Sequence, residues 1–426
     1  MHRVPVWVVL VLTILGMACS RTVEHPGPGS TVIEYRGGRW FDGTTFTPRA
    51  MWVVDRKLAT SRPSRVDSVV ELDGGFVVPP FAEGHNHWLE PALVDTYVNV
   101  HLRQGIFYVK DMSTPPVLHD AMRPKLNTPT SVDYVAAHQG FTGPGCHPIE
   151  LLDQLIQFGV VPASWGPTHG EGDAVFAVTS ERDVDRVWQR LIDGHPDFVK
   201  LFLSHSDDHA ARRDDPERSP KECGMDPALV PGIVSRAHAA GLRVTAHIVT
   251  AHDFHVAVAA GVDDIAHLPF VATPDLEAYR IADGDVRAAG ARKMSIATTV
   301  DNLYDARPDD PRLPVARDNI ARLRAAGALV TIGTDSLRTT ARTEADHIAA
   351  LHLMTNLELL VAWTMTTPRA IFRDRDVGRL DDGAEASFLV LEGDPLGDFA
   401  QTHRIVRWVK QGLALSPPAV EMPPLQ

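Results

Sequence analysis

The stretch DFVKLF, at positions 197–202, is the part of this sequence that best indicates the fold. Alternation with a period of two puts Val199 and Leu201 on the face of a strand that packs against helices, and Lys200 on the opposite, inward face. A buried and unpaired ammonium is costly and normally loses its proton. A lysine considered alone would more often extend its charged end to the solvent at the rim. The interpretation of Lys200 therefore depends on the segments around it.

Strands and helices alternate through the centre of the chain. Short apolar runs at 106–109, 198–202, 244–246 and 329–332 alternate with helical patterns at 227–240, 316–326 and 346–362. This alternation is typical of βα units around a parallel sheet. Because a (β/α)8 barrel takes about 250 residues, we predict an α/β chain with such a barrel over residues 76–375.

The two flanks of the barrel have a different texture. Short β-type runs separated by glycine turns fill residues 31–72, and similar runs return at 387–391 and 405–409. We therefore predict a small β-sandwich formed from both chain ends, 31–75 and 376–415, followed by a tail at 416–426.

The first 30 residues have the features of an export signal. His2 and Arg3 precede an apolar run at 4–15, which is shorter than the roughly 20 residues of a membrane span. Small residues then lead to Cys19, as in a bacterial lipobox. We predict a signal peptide at 1–19, a tether at 20–30, and a periplasmic or cell-envelope protein that is lipid-anchored at Cys19. An ordinary signal peptide cut near Ala18 is the alternative.

Charge and cysteine content narrow the range of functions. Lys+Arg is 41 against Asp+Glu 54, a net charge of -13, which argues against a nucleic-acid-binding protein with its usual basic stripe. Apart from Cys19 the chain has Cys146 and Cys223. They could pair in an oxidising compartment, but two unpaired thiols fit the sequence at least as well.

Side chains that can bind metals follow several predicted strands. His85 and His87 are two residues apart and can share a face of an extended segment, while His247, His267 and Asp335 each end a short apolar run. Each histidine alone is more often structural, but their convergence on one end of a barrel predicts a metal centre. Imidazole and carboxylate ligands suit zinc or a similar divalent ion.

Lys200 fits such a centre if CO2 converts it to a carbamate, an anion able to bridge two cations. Lys200 is the chief indication of a binuclear centre, because a buried inward lysine is unfavourable without metals to bridge.

The order His-x-His, lysine, His, His, Asp resembles the amidohydrolase superfamily, in its lysine-bridged binuclear branch near prolidase-like and imidazolonepropionase-like members. The segments 38–43, 378–388 and 393–396 resemble the superfamily's flanking strands, so the resemblance covers nearly the whole mature chain. It implies two divalent metal ions, and the imidazole and carboxylate ligands indicate zinc. His85 and His87 would hold the first ion, His247 and His267 the second, and carboxylated Lys200 would bridge them.

The resemblance also implies that Asp335 binds the first ion and transfers protons during catalysis. Three residues depart from the usual pattern: Pro80 replaces a glycine, and Glu83 and Ser387 replace aspartates. They lie outside the inferred ligands, so they affect the placement in a subfamily more than the chemistry. The mononuclear deaminases are less similar, because they lack the lysine and usually have a glutamate soon after the histidine equivalent to His247.

The implied activity is hydrolysis of an amide, ester or cyclic C–N bond in a small molecule by metal-activated water. An isomerase or decarboxylase on the same fold, or a catalytically silent lipid-anchored binding protein, remains an alternative. Candidate substrate contacts follow the predicted strands: His205, Tyr304, Arg307 and Arg338, with Arg342 beside them. The histidines expected to be structural or on the surface are His138, His147, His238 and His252.

Overall fold

The computed structural model describes residues 31–163, 170–215, 223–269, 275–303, 306–307 and 309–424. The predicted signal peptide, the tether and Cys19 lie outside the described residues, and so does Tyr304. In the described ranges, no helix combines the length and the apolar character needed to cross a membrane.

The strands, in chain order, are β1 (Val32–Phe41), β2 (Phe46–Val54), β3 (Lys57–Ala59), β4 (Ser68–Glu71), β5 (Phe76–Val78), β6 (Phe81–Asn86), β7 (Ile106–Asp111), β8 (Asp133–Ala136), β9 (Gly140–Thr142), β10 (Val175–Ala177), β11 (Phe198–Phe202), β12 (Arg243–His247), β13 (Asp264–Ile265), β14 (Ser295–Ala297), β15 (Leu329–Thr331), β16 (Phe388–Leu391), β17 (Ile405–Lys410) and β18 (Leu413–Leu415). The α-helices described are Val94–Arg103, Pro116–Met122, Leu152–Gln157, Glu181–Asp193, His209–Asp214, Val230–Ala239, Ala251–Ala260, Asp283–Ala291, Arg312–Ala326, Ala341–Ala350, Asn356–Val361 and Thr367–Ile371.

Both chain ends meet in one β structure, as the sequence predicts. Its strands form a single eight-stranded sheet in the order β18-β17-β16-β5-β1-β2-β3, with β4 also paired to β1. The long strand β1 spans ten residues, and its register with β2 shifts between Tyr35 and Gly38. Its first part pairs with β4 and its last part with β5. A shared core contains Trp40 and Met51 from one end of the chain and Phe388 and Val409 from the other.

The sheet from the chain ends also includes β5, which pairs with β1 and with β16. The terminal sheet therefore extends past residue 75, and the first barrel strand begins at Phe81.

The central strands are parallel and have a TIM-barrel-like α/β arrangement, which confirms the predicted fold class. They form two sheets, with the strand orders β6-β7-β8 and β10-β9-β11-β12-β13-β14-β15. The strands β8 and β9 follow each other directly in the chain and so connect one sheet to the other. At the opposite seam Asn86 bridges to Ser336, and the Gly84 amide donates to the Ile332 carbonyl at 2.7 Å. The carboxyl ends of these strands therefore converge at one edge.

The helix predicted at 346–362 is wrong as a single element. The structure has a helix Ala341–Ala350, a break, and a second helix Asn356–Val361. His352 has a positive φ of 51°, which ends the first helix, and Thr355 begins the second with a capping box closed by Glu358. The apolar periodicity of the sequence continues across the break and therefore does not reveal it. The boundary between the two helices is set by the capping residues.

Candidate metal centre

Three predicted ligands meet where β6 ends beside the segment that follows β15. Asp335 Oδ1 lies 3.0 Å from Nε2 of His85 and 3.0 Å from Nε2 of His87, and the two Nε2 atoms are 3.3 Å apart. The amides of Thr334 and Asp335 both donate to the His85 carbonyl, which holds the two segments in register. These three side chains form a group able to hold one metal ion.

The hydrogen bonds of His85 fix which of its nitrogens carries the proton. Its Nδ1 lies 2.6 Å from the Ala266 carbonyl oxygen, so Nδ1–H donates there and Nε2 of the neutral ring keeps its lone pair. Burial lowers the pKa of His85 to about 4, which favours this neutral ring. A lone pair of His85 and an oxygen of Asp335 then face each other at 3.0 Å. A cation between them would satisfy both acceptors, so the donor set fits a divalent metal.

The second predicted pair lies beside the first. His267 Nε2 is 2.7 Å from His247 Nδ1, while His267 Nδ1 donates to the Leu268 carbonyl at 3.2 Å. Burial lowers the pKa of His267 to about 3 and that of His247 well below its usual value. The rings of His85 and His267 are 5.9 Å apart. The neutral form of both imidazoles is therefore favoured, and the pair lies next to the first group.

Lys200 has the inward orientation expected from the alternation. Val199 and Leu201 belong to the main hydrophobic core, whereas Lys200 lines the cavity above the ligands and is only 1% exposed. Among the described residues its ammonium has no hydrogen bond or ion pair, and Nζ lies 5.2 Å from the centre of the Phe202 ring. Burial lowers the pKa of Lys200 to about 7, opposed by the charge of Asp335.

Glu83 has a positioning role that the sequence did not reveal. Its buried carboxylate accepts hydrogen bonds from the amides of Thr334 and Ala341, and from the His85 amide at 3.3 Å. These bonds connect the strand of the histidine pair to the segment of Asp335. Glutamate is one methylene longer than the aspartate usually found at this position in the superfamily. Glu83 nevertheless accepts hydrogen bonds from the backbone on both sides of Asp335, so the substitution is compatible with a role in the geometry of the site.

His147 was assigned to the structural histidines, but the structure places it in the site. Its ring stacks on that of His247 with 4.3 Å between centroids and lines the cavity. Its Nδ1 lies 2.7 Å from Glu150 Oε1, which orients the ring. His147 follows β9, but no strand is predicted there from the sequence, so nothing in the sequence distinguishes it among the 20 histidines.

A disulfide closes the loop next to His147. Cys146 and Cys223 are bonded with an S–S distance of 2.10 Å and a Cα–Cα distance of 5.0 Å. The reading with two unpaired thiols, which the sequence left open, is therefore wrong. The disulfide joins the segment after β9 to the segment after β11, so it restrains one side of the site.

A cavity of about 370 Å³ lies over the candidate centre. Its floor consists of the ligand side chains: His85, His87, Lys200, His247 and Asp335. The remaining described lining is almost entirely apolar, with Ser113 and His147 as the polar exceptions. The volume suits a small organic molecule rather than a polymer chain.

The predicted substrate contacts lie elsewhere in the described structure. The His205 amide donates to Asp253 at 3.1 Å, and Arg307 is exposed. Arg338 forms an ion pair with Glu90. None of these predicted residues lines the cavity, so their substrate role stays a prediction without geometric support.

Arg342 is occupied by contacts inside the protein. Its buried guanidinium donates to the Gln104 carbonyl at 2.8 Å and to the Thr402 carbonyl at 3.2 Å. It also lies over the rings of Phe81 and Trp363, at 5.3 and 5.0 Å from their centres. Arg342 therefore joins the barrel to the C-terminal part of the chain.

Comparison with known proteins agrees with this architecture. The profile described as "Amidohydrolase family" matches residues 94–414, a region that includes four of the six predicted ligands. No curated protein sequence matches the chain.

Solved structures of similar fold include a prolidase complexed with N-methylphosphonate-L-proline, with 18% identity, a TM-score of 0.68, and coverage of 91% of this chain and 100% of that one. Ochratoxinase from A. niger has 15% identity and a TM-score of 0.68, over 90% of this chain and 95% of that one. Phenylurea hydrolase B has 17% identity and a TM-score of 0.65, over 92% and 100%. At these identities the likeness establishes the fold alone.

Proposed function

Because this chain belongs to the amidohydrolase family, we propose that it is a metal-dependent hydrolase that cleaves an amide or related C–N bond of a small molecule with activated water. The observation that carries the proposal is the convergence of His85 Nε2, His87 Nε2 and Asp335 Oδ1 within 3.3 Å of one another. A purely structural cluster would place a donor against each acceptor, whereas His85 already uses its proton on Ala266.

The residues present would hold two ions. His85, His87 and Asp335 fit the first, and His247 and His267 fit the second. Lys200, once carboxylated, would bridge them, and its neutral amine is the form that reacts with CO2. When bound, two divalent cations lower the pKa of water and polarise a carbonyl oxygen.

Asp335 is placed to move the proton in this reaction. Its Oδ1 lies among the candidate ligands, 3.0 Å from Nε2 of both His85 and His87. The carboxylate therefore accepts a proton from the attacking water and delivers it to the leaving nitrogen. A positive φ of 57° at Asp335 turns its side chain towards the histidines, a conformation that aspartate tolerates better than most residues.

The test uses the full chain, purified and reconstituted with Zn²⁺, Mn²⁺ or Co²⁺. Metal analysis is combined with product analysis on N-acyl amines, dipeptides, lactones and cyclic ureas. We expect turnover with bound metal, and a loss of about 10²–10⁴-fold in kcat for Asp335→Asn. The exposed Asp374→Asn is the matched control and should retain activity. A fully metallated protein that hydrolyses none of these compounds contradicts the proposal, and rearranged or decarboxylated products would identify a non-hydrolytic reaction.

We also propose that the protein is exported and anchored through Cys19. The Cys146–Cys223 disulfide supports this location, because disulfides persist mainly in oxidising compartments. Palmitate labelling of cells that express the full chain tests the anchor: it should be lost in Cys19→Ala and kept in Cys223→Ala. Full-length protein in the cytosol with both thiols reduced would contradict the proposal.

A further inference from the structure

We propose that the substrate is uncharged and places a bulky apolar group, branched alkyl or aryl, against a wall of the cavity formed by Leu89, Leu152, Leu155, Val161 and Leu337, here called the leucine wall. This inference rests on the proposed hydrolase function and names the substrate class. It follows from two features of the cavity: the apolar composition of this wall, and the scarcity of basic side chains among the described lining residues.

The leucine wall is a separate apolar cluster beside the ligands. Leu89, Leu152 and Val161 are buried in it, and Leu155 and Leu337 pack against it. Two of its members come directly after ligands, since Leu89 follows His87 and Leu337 follows Asp335 by two residues each. The other members flank or belong to the helix Leu152–Gln157, which lies outside the barrel strands. An apolar surface that faces a cavity rather than the core favours an apolar ligand group.

Apart from the ions of the proposed centre, the described lining offers no basic side chain that could neutralise a substrate carboxylate at the leucine wall. Lys200 is the only lysine or arginine among those residues. Arg338 is paired with Glu90, and Arg342 donates to backbone carbonyls. The other candidate cation, His147, has the Glu150 carboxylate 2.7 Å from its Nδ1.

The internal residues outside the described ranges contain few cations to add. Of these positions only His169, Arg218 and Lys221 are basic. A carboxylate placed against the leucine wall would therefore lose water with no basic side chain beside it among the described residues, which is unfavourable. An uncharged group has no such cost and gains from burial against the leucine wall.

The test uses two isosteric pairs of amides that differ only in charge. On the acyl side, the 4-methylpentanoyl anilide is compared with the succinyl anilide. On the amine side, N-benzoyl-3-methylbutylamine is compared with N-benzoyl-β-alanine. With the metallated full chain we expect kcat/KM to favour the neutral member of at least one pair by about 100-fold.

Equal or better hydrolysis of both carboxylate members would overturn the inference and leave the hydrolase function intact. Failure of the metallated enzyme on all four amides and on dipeptides would instead count against the hydrolase function itself.

Variants of the leucine wall give a second test. Leu155→Arg should reduce the preference for the neutral amide at least 10-fold, because it puts a cation where the substrate group lies, and Leu155→Ala should lower kcat/KM for the neutral amide about 10-fold. Phe158→Arg is the matched control, since Phe158 is 42% exposed at the end of the same helix and does not line the cavity. Circular dichroism and metal content verify that the variants fold. An unchanged preference in folded Leu155→Arg would overturn the inference.

Discussion

Two lysines point into the barrel, and they differ in what surrounds their ammonium groups. Lys110, on β7, donates to Asp264 Oδ2 at 3.0 Å and to Thr245 Oγ1 at 3.0 Å. Lys200, on β11, has no such partner among the described residues. Burial lowers the pKa of Lys110 to about 8 and that of Lys200 to about 7. The charge of Lys110 is balanced by Asp264. Lys200 has no counter-ion among the described residues, which fits a metal centre that would provide its binding partner.

The contacts of Lys110 correct the inference from sequence that an inward lysine indicates metals. An inward lysine does not by itself require metals, because Lys110 is inward and is satisfied by Asp264. Asp264 is in register with Thr245, and Thr245 with Lys200, so the two lysines differ in their surroundings rather than in their level along the strands. Lys200 lines the cavity over the candidate centre, whereas Lys110 is not among its described lining residues. What identifies Lys200 as functional is the missing counter-ion together with its position.

The largest expected difference between the two lysines is in catalysis. Lys200→Met should lose bound metal and lower kcat/KM by about 10³-fold or more, since several kcal/mol of transition-state stabilisation depend on the ions. Lys110→Met should retain its metal content and stay within about 10-fold of the wild-type kcat/KM, measured on the same substrate. If both variants lose metal equally, the distinction between the lysines fails.

The same two variants should change the stability of the metal-free protein in opposite directions. Lys110→Met leaves the buried Asp264 with only its weaker cationic contacts at 3.3 and 3.5 Å, and should lower the free energy of unfolding by about 3 kcal/mol. Lys200→Met removes an unpaired buried amine and should raise it by about 1–4 kcal/mol. Urea unfolding at pH 7 measures both values. A loss of stability in Lys200→Met would mean that a partner of Lys200 had been overlooked.

Much of the fold could be predicted from sequence because its signals are local. The alternation in DFVKLF gives the inward face of one strand, and the apolar runs at both chain ends identify strands. The pairing of β1 with β4 and β5 could not be predicted, since it depends on contacts distant in sequence and on an irregularity near Gly37.

The site was predictable to the extent that its residues follow strands. His85, His87 and Asp335 lie together because the carboxyl ends of parallel strands share an edge. His147 and Glu83 were not assigned roles, because their contacts arise from a loop and from a buried carboxylate that no spacing identifies. The same limitation explains Lys110, whose counter-ion is 154 residues away in the chain.

Dependence on CO2 should distinguish the lysines in reconstitution experiments. Carboxylation needs the neutral amine, and the pKa of Lys200 is about 7, so the neutral fraction rises as the pH increases. At constant dissolved CO2, recovery of activity by metal-free protein should speed up about 10-fold between roughly pH 6 and 8. Lys110→Met should show the same dependence. Equal recovery in CO2-free buffer would contradict carboxylation of Lys200.

The smallest expected effect concerns Arg338, which the sequence nominated as a substrate contact. Its guanidinium forms an ion pair with Glu90 and donates to the Tyr97 hydroxyl at 3.2 Å. Arg338→Lys should therefore change KM less than about 3-fold, because lysine keeps the charge that pairs with Glu90 and Arg338 does not line the cavity. A rise of 100-fold in KM for carboxylate substrates alone would place Arg338 in the site. That result would also show that a second basic side chain reaches the cavity, where Lys200 is the only lysine or arginine among the described lining residues.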